Sequence, residues 1–261
     1  MKNISILGLG WLGLPLAKAF LEKGYSVRGT VRDASKISFS HSKLQVFSLD
    51  IDVLDKVESL AFFQSEILVV SIPSKSIEGF SKLIDTLKDS LVKKIVFISS
   101  TSVYQNSFLE VDETSPLVDS PLVEIERMFI KACEKYNIQL SIVRFAGLYG
   151  YTRRPGNFFK DNQMIPFPKE PVNFIHQTDC IGLLLALVEK NLFGNIYNAC
   201  SEDHPTREAF YRFHRQLESR EEPVFLDSDS SFVQGKKVSS KKLIKDTGYT
   251  FVYSNLLGKF E

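Results

Sequence analysis

Residues 4–24 read ISILGLGWLGLPLAKAFLEKG. Residues 4–7 are a short apolar run of the length of a buried parallel strand. Gly8, Gly10 and Gly13 follow as G-x-G-x-x-G, and Leu14, Leu16, Ala17, Phe20 and Leu21 then recur at helical spacing up to Gly24, which is placed to end the helix. A glycine motif between a strand and a helix is where a dinucleotide's diphosphate binds. Gly8 permits the tight turn, Gly10 lets the phosphates approach the main chain, and Gly13 lets the helix pack close to the strand. The helix N-terminus adds unpaired N–H groups and a positive dipole end. Pro15 falls in the first helical turn, where a missing N–H costs least.

Working outward, the 261 residues suffice for one large domain or a nucleotide-binding domain with a small cap. The chain is 44% hydrophobic with a net charge of +1, so composition gives no reason to expect a nucleic-acid or membrane partner. The opening apolar stretch is already used as a strand with glycines, so no signal peptide is expected. The longest later apolar run, 181–188, is far short of the roughly 20 residues that span a bilayer. Three widely spaced cysteines suit reduced thiols in a cytoplasm, and the four histidines lack metal-ligand spacing. The expectation is a cytoplasmic protein without a bound metal.

Strand and helix patterns alternate through the first half, predicting an α/β, Rossmann-type doubly wound parallel sheet. Strands are expected at 26–31, 44–49, 67–72, 94–99 and 139–144, and helices at 53–62, 77–91 and 121–136. Right-handed crossovers put the loops after these strands on one edge, where ligands bind in such folds. Beyond Gly150 the prolines at 155, 166, 168 and 171 mark irregular chain. Helices at 178–189 and 206–217, a strand at 195–199 and a polar loop at 219–231 follow. The division expected is 1–150 as the NAD(P)-binding domain and 151–261 as a small substrate-binding lobe interleaved with the sheet.

Dinucleotide-binding folds that take NAD place an acidic residue at the end of the second strand to hold the ribose. Thr30 occupies that position here, and Arg32 follows with a planar fork suited to a 2′-phosphate. This favours NADP over NAD. Asp50 and Ile51, after the third strand, are placed to flank an adenine, and Asp50 also suits an N-cap. With the other strand-end loops, the cofactor-binding set is Gly8, Gly10, Trp11, Leu12, Gly13, Thr30, Arg32, Asp50, Ile51, Ser71, Ile72, Pro73, Ser99, Phe145, Ala146 and Leu148. The fifth strand runs into the hydroxyl-rich Ser99-Ser100-Thr101-Ser102-Val103-Tyr104, where one hydroxyl can bond a substrate oxygen as its carbon reacts.

Three stretches resemble the extended branch of the short-chain dehydrogenase/reductase superfamily, the NAD(P)-dependent epimerase/dehydratase group. Residues 99–104 resemble its S-S-x-x-V-Y stretch, 144–150 its R-x-x-x-x-Y-G stretch, and 173–179 its F-I-H-V-x-D stretch. The resemblance, in order and spacing over nearly the full chain, implies a seven-stranded Rossmann-type sheet with a C-terminal substrate lobe. It also implies a homodimer through the 121–136 helix, and Ser100 as the hydroxyl that contacts substrate. Two departures stand out. The glycine spacing is that of shorter atypical members, and the family's Tyr-x-x-x-Lys pair aligns with Leu122 and Glu126. Leucine moves no proton, and a glutamate raises the pKa of a nearby phenol.

Three explanations fit the missing pair. Tyr104, Tyr149 or His176 acts as acid/base instead; or cofactor and positioning suffice; or the chain binds NADP as a regulator or sensor without turnover. Tyr104 and His176 join Ser100 as catalytic candidates, although a core tyrosine and a hydrogen-bonded structural histidine are the plainer readings. Beyond the sixth strand, Arg153, Arg154, Asn157 and Phe158 suit an anionic, phosphorylated or nucleotide-linked sugar substrate, or else an ordinary surface loop. The closing segment 235–249 also resembles this family, in which a basic residue there often approaches a nucleotide sugar's pyrophosphate. Finally, G-L-G-x-L-G-x-P-x-A with Arg32 and Lys36 resembles β-hydroxyacid dehydrogenases. That resemblance implies a long all-helical C-terminal domain, which the sequence after Gly150 does not supply.

Overall fold

The computed structural model describes residues 2–107, 109–226 and 235–259. Seven strands make the main sheet: β1 (Asn3–Leu7), β2 (Ser26–Val31), β3 (Leu44–Ser48), β4 (Ile67–Val70), β5 (Lys94–Ser100), β6 (Gln139–Phe145) and β7 (Ile196–Ala199). Their order is β7-β6-β5-β4-β1-β2-β3. β1 pairs in parallel with β2 and β4, β2 with β3, and β4 with β5. The chain winds outward from β1 to β3, then returns to β4 on the other side of β1. The order therefore reverses at β1/β4, the switch point at which ligands bind in open α/β sheets. β4 is wholly apolar and β1 mostly so, and both are almost wholly buried, as strands covered on both faces must be; the buried Ser5 hydroxyl of β1 donates to the Phe62 carbonyl at 2.6 Å.

The helices are α1 (Gly13–Glu22), α2 (Ile77–Leu87), α3 (Pro121–Tyr136), α4 (Gln177–Glu189), α5 (Arg207–Leu217) and α6 (Lys241–Thr247). Local chemistry sets their ends. Ser76 and Ser120 accept the N–H groups of Gly79 and Val123, Pro121 opens α3, and Asn137 closes it at φ 55°. Gly24 (φ 84°) makes the turn after α1.

The chain divides into two compact units. The first comprises Met1–Ser99, Val118–Val143 and Leu184–Ile196. Its core centres on Phe80, Phe97 and Phe129, with Phe97 stacked on Phe129 at 4.7 Å. The second comprises Ser100–Leu117, Arg144–Leu183 and Tyr197–Glu261. It packs Tyr149, Ile165, Val172, Phe210 and Leu256 together, with Phe174 stacked on Phe210 at 4.6 Å. Side chains of Asp179, Ser201 and Asp203 strap residues 249–256 within this second unit. Asp179 accepts from the Tyr249 hydroxyl and the Val252 and Tyr253 amides at 2.7–3.1 Å. Asp203 accepts from the Leu256 amide at 2.7 Å, and the Ser201 hydroxyl donates to the Ser254 carbonyl at 2.8 Å.

Three expected elements are corrected. The helix over 53–62 is a 3₁₀ turn (Ile51–Val53) and a single helical turn (Lys56–Ser59). Val53 and Val57 are 81% and 78% exposed, so the apolar spacing there marks no buried face, and Phe62 and Phe63 enter the core through i→i+3 turns instead. The helix over 77–91 stops at Leu87, where Asp89 and Ser90 donate to the carbonyls of Thr86 and Leu87. The polar loop over 219–231 contains a short strand, Val224–Phe225, paired with Met164–Ile165, and its last five residues lie outside the described residues. No helix among the described residues is long and apolar enough to cross a membrane.

Candidate functional site

The turn after β1 is built from steric necessity. Gly8 sits at φ 98°, and a Cβ there would lie 2.6–2.7 Å from the Ile72 side chain and the Ser71 carbonyl. A Cβ on Gly13 would come within 1.9 Å of the Gly8 carbonyl oxygen. Gly10 differs: a Cβ there would meet no atom within 4 Å. The protein's own packing thus demands Gly8 and Gly13 but not Gly10, whose exposed main chain borders the start of α1. The first turn of α1 carries no acidic residue and no side-chain cap. That combination fits a diphosphate, which needs open backbone and unopposed helix-terminal N–H groups.

Beside this turn, a cavity of about 300 Å³ is lined by Leu7, Arg32, Leu49, Asp50, Ile51, Asp52, Ile72, Pro73 and Ser74. It brings together five residues of the expected cofactor set, from the ends of β2, β3 and β4. Arg32 is exposed at its rim. Asp50 also caps the Ile51–Val53 turn by accepting the Asp52 amide at 3.1 Å. Its second carboxylate oxygen extends what that wall can bind. Ile51, Ile72 and Pro73 supply apolar surface for a planar ring. Thr30 is placed differently. It is 1% exposed, and its hydroxyl accepts the Gly8 amide at 2.9 Å.

At the end of β5, Ser99 is buried and its hydroxyl donates to the Glu126 carboxylate at 2.5 Å. Glu126 is itself 2% exposed, and Leu122, one turn earlier on α3, packs against the core. Ser100 is half-buried, and its hydroxyl caps the Thr101–Val103 turn by accepting the Ser102 amide at 3.1 Å.

Within the second unit, Tyr104 is 1% exposed; its hydroxyl donates to Asn198 at 2.6 Å and accepts from Arg144 at 2.8 Å. Burial pushes its pKa up, against the pull of Arg144. His176 is fully buried, takes the Thr178 amide on Nδ1 at 3.2 Å, and packs on Tyr253 with ring centroids 3.8 Å apart. Desolvation lowers its pKa to about 4. Tyr149 is also buried, which raises its pKa well beyond the ordinary phenol value. The acid/base expectation on these three therefore meets groups held as neutral core side chains, because no solvent stabilises their charged forms. The expected substrate loop is largely used internally. Arg154 pairs with Glu218 at 3.1 Å, Asn157 accepts from Arg220, and Phe158 packs toward Phe174. Arg153 is exposed.

Phe145 and Ala146 are buried, and Ala146 donates to the Ala199 carbonyl at 2.9 Å. Leu148 lies on a short strand, Gly147–Tyr149, paired with Phe174–His176. Sequence reasoning missed the Ser99–Glu126 bond and the Arg144–Tyr104–Asn198 chain. The first had a signal, a glutamate on the apolar face of α3; the second joins residues far apart in sequence and had none.

A seven-stranded sheet, a glycine turn at its switch point and an adjoining apolar-and-charged cavity define a Rossmann-type α/β fold with the setting of a dinucleotide site. Residues 8–165, more than half of the chain, match the NAD(P)H-binding family, and the chain belongs to that family. It is 30% identical over 275 aligned positions to Protein YeeZ of Escherichia coli (strain K12), with 98% of each chain covered. Its fold is similar to that of UDP-glucuronic acid 4-epimerase from Bacillus cereus in complex with NAD. The TM-score is 0.79 at 18% identity, covering 98% of this chain and 95% of that one. UDP-glucose 4-epimerase from Thermotoga maritima with UDP-glucose also has a TM-score of 0.79, at 15% identity, covering 98% and 96%. At such identities the likeness shows the fold alone.

Proposed function

We propose that the chain binds NADP in preference to NAD and acts as an epimerase/dehydratase-like oxidoreductase on a sugar-like or anionic small molecule. The observation that carries the cofactor reading is the open face of Gly10 beside an uncapped, acid-free helix start. Main-chain N–H groups there hold the diphosphate. Ile51, Ile72 and Pro73 would bracket the adenine, and Arg32 would pair with a 2′-phosphate. NAD(P), when bound, supplies a nicotinamide that takes and returns a hydride. Ser100 presents its hydroxyl to the substrate oxygen whose carbon reacts. The C-terminal part, 151–261, is the substrate lobe, and α3 is the face of a homodimer. The nucleotide-sugar epimerases of like fold support the substrate class, with Arg153 as a candidate anion contact.

Calorimetry with NAD⁺, NADH, NADP⁺ and NADPH tests the cofactor reading; it predicts heat of binding, larger for the phosphorylated pair, and no heat with any of the four overturns it. A second reading, a non-catalytic NADP-binding sensor, is favoured by Leu122 and Glu126 at the family's catalytic positions and by the burial of Tyr104 and His176. Ser100→Ala separates the two under a carbonyl and sugar panel read at 340 nm. An enzyme loses turnover and keeps cofactor affinity, whereas a sensor shows no turnover in either protein.

A further inference from the structure

The end of β2 holds the glycine turn at two successive amides. The Thr30 hydroxyl accepts the Gly8 N–H at 2.9 Å, and the Thr30 carbonyl accepts the Leu9 N–H at 2.7 Å. The neighbouring Gly29 makes room for this. A Cβ there would stand 2.4–2.7 Å from three carbons of the Leu9 side chain, and Leu9 is 4% exposed. Leu9 is thus buried against the bare main chain of Gly29, while Thr30 takes both N–H groups beside it. Position 30 is nearly sealed, at 1% exposed, whereas Arg32 stands exposed at the rim of the cavity beyond.

The geometry points to a division of labour, resting on the cofactor reading above. Thr30 is a positioning residue that fixes the diphosphate turn, and Arg32 alone reads the ribose end that distinguishes NADP from NAD. An acidic residue at position 30 would find no path to a ribose. It would instead bring a carboxylate under the turn. Gly8 is held at a positive φ with its amide aimed at this hydroxyl, so loss of the hydroxyl strips a part-buried donor of its acceptor and lowers the fraction of turns in the binding geometry.

The test measures affinities for NADP⁺ and NAD⁺ on wild type, Thr30→Val, Thr30→Ser, Thr30→Asp and Arg32→Ala, with amide hydrogen exchange at Gly8 in the ligand-free protein. Thr30→Val should weaken both nucleotides by about tenfold and by the same factor, and speed Gly8 exchange. Thr30→Ser, which keeps the hydroxyl, should restore both affinities to within about twofold. Arg32→Ala should change the NADP⁺/NAD⁺ ratio, and Thr30→Asp should not favour NAD⁺. Unchanged affinities in Thr30→Val, unchanged Gly8 exchange, or a swing to NAD⁺ in Thr30→Asp overturns the inference. If wild type binds neither nucleotide, the cofactor reading fails, while the exchange result still decides whether Thr30 holds the turn.

Discussion

Replacing Gly10 by alanine adds one methyl group, and it meets no protein atom within 4 Å. The position carries no left-handed backbone, so the fold gains the reduced freedom of the unfolded chain, about 0.4–1 kcal/mol, or about 1–3 °C in Tm. On the proposed reading, the same methyl stands in the path of the diphosphate. A phosphate oxygen bonded to main-chain N–H sits about 2.9 Å from nitrogen, whereas a methyl carbon requires about 3.5–4.0 Å from any ligand atom. The ligand must withdraw and forfeit one or two charge-assisted hydrogen bonds, about 3 kcal/mol, a loss of at least about a hundredfold in affinity. The chain's single tryptophan, Trp11, neighbours the substitution and reports binding by energy transfer to NADPH fluorescence. Gly13→Ala is the control. Its Cβ would lie 1.9 Å from the Gly8 carbonyl oxygen, so it should lose both binding and stability, the latter by about 1–3 kcal/mol. If Gly10→Ala binds NADPH within about twofold of wild type, or unfolds as early as Gly13→Ala, the diphosphate does not lie over Gly10.

Ser99→Ala should cost about 1–3 kcal/mol by stripping the buried Glu126 carboxylate of its 2.5 Å donor, read by urea denaturation, with Ser99→Thr retaining part of the loss. Burial holds the folded-state pKa of both His176 and His214 down at about 4, below the usual value near 6.5. Because the unfolded chain protonates first as pH falls, stability should drop between about pH 6.5 and 4 by up to about 3 kcal/mol per histidine. Denaturation at pH 7, 5.5 and 4.5 checks this, and His214→Gln should flatten the slope. Arg215, 2% exposed, donates to Asp161 and to the carbonyls of Phe159, Lys160 and Glu221, so Arg215→Met should destabilise by about 3 kcal/mol and expose the 155–163 loop to proteolysis.

Periodicity made the sheet legible wherever a strand is buried on both faces or a helix carries its own stop signals. The 121–136 helix matches its expected bounds because Ser120, Pro121 and Asn137 are all local signals. The glycine turn was legible as a local pattern, although only Gly13 answers to a near neighbour, the Gly8 carbonyl, while Gly8 answers to Ser71 and Ile72 on the next strand end. The 53–62 stretch was not, because Val53 and Val57 repeat at helical spacing yet stand 81% and 78% exposed, and the apolar side chains buried there are Phe62 and the adjoining Phe63, through tighter turns. The Thr30 position illustrates the other limit. Spacing located it at the end of β2, but its use depends on the Gly8 amide across a strand pairing. For Tyr104 the hydroxyl-rich loop left two readings, a catalytic candidate and the plainer core tyrosine, and its contacts with Arg144 and Asn198, 40 and 94 residues away, are what no local pattern could supply.

The strap formed by residues 249–256 bears on how the chain folds during synthesis. Every segment of the first unit has been translated by Ile196, so its glycine turn and sheet core can consolidate while Tyr197–Glu261 is still to come. The second unit has no such head start. Asp179 and Asp203 are emplaced early but stay without their amide donors until Val252, Tyr253 and Leu256 emerge. A ribosome stalled in this last stretch would therefore hold a nascent protein with its first unit complete and its second unit still lacking the strap.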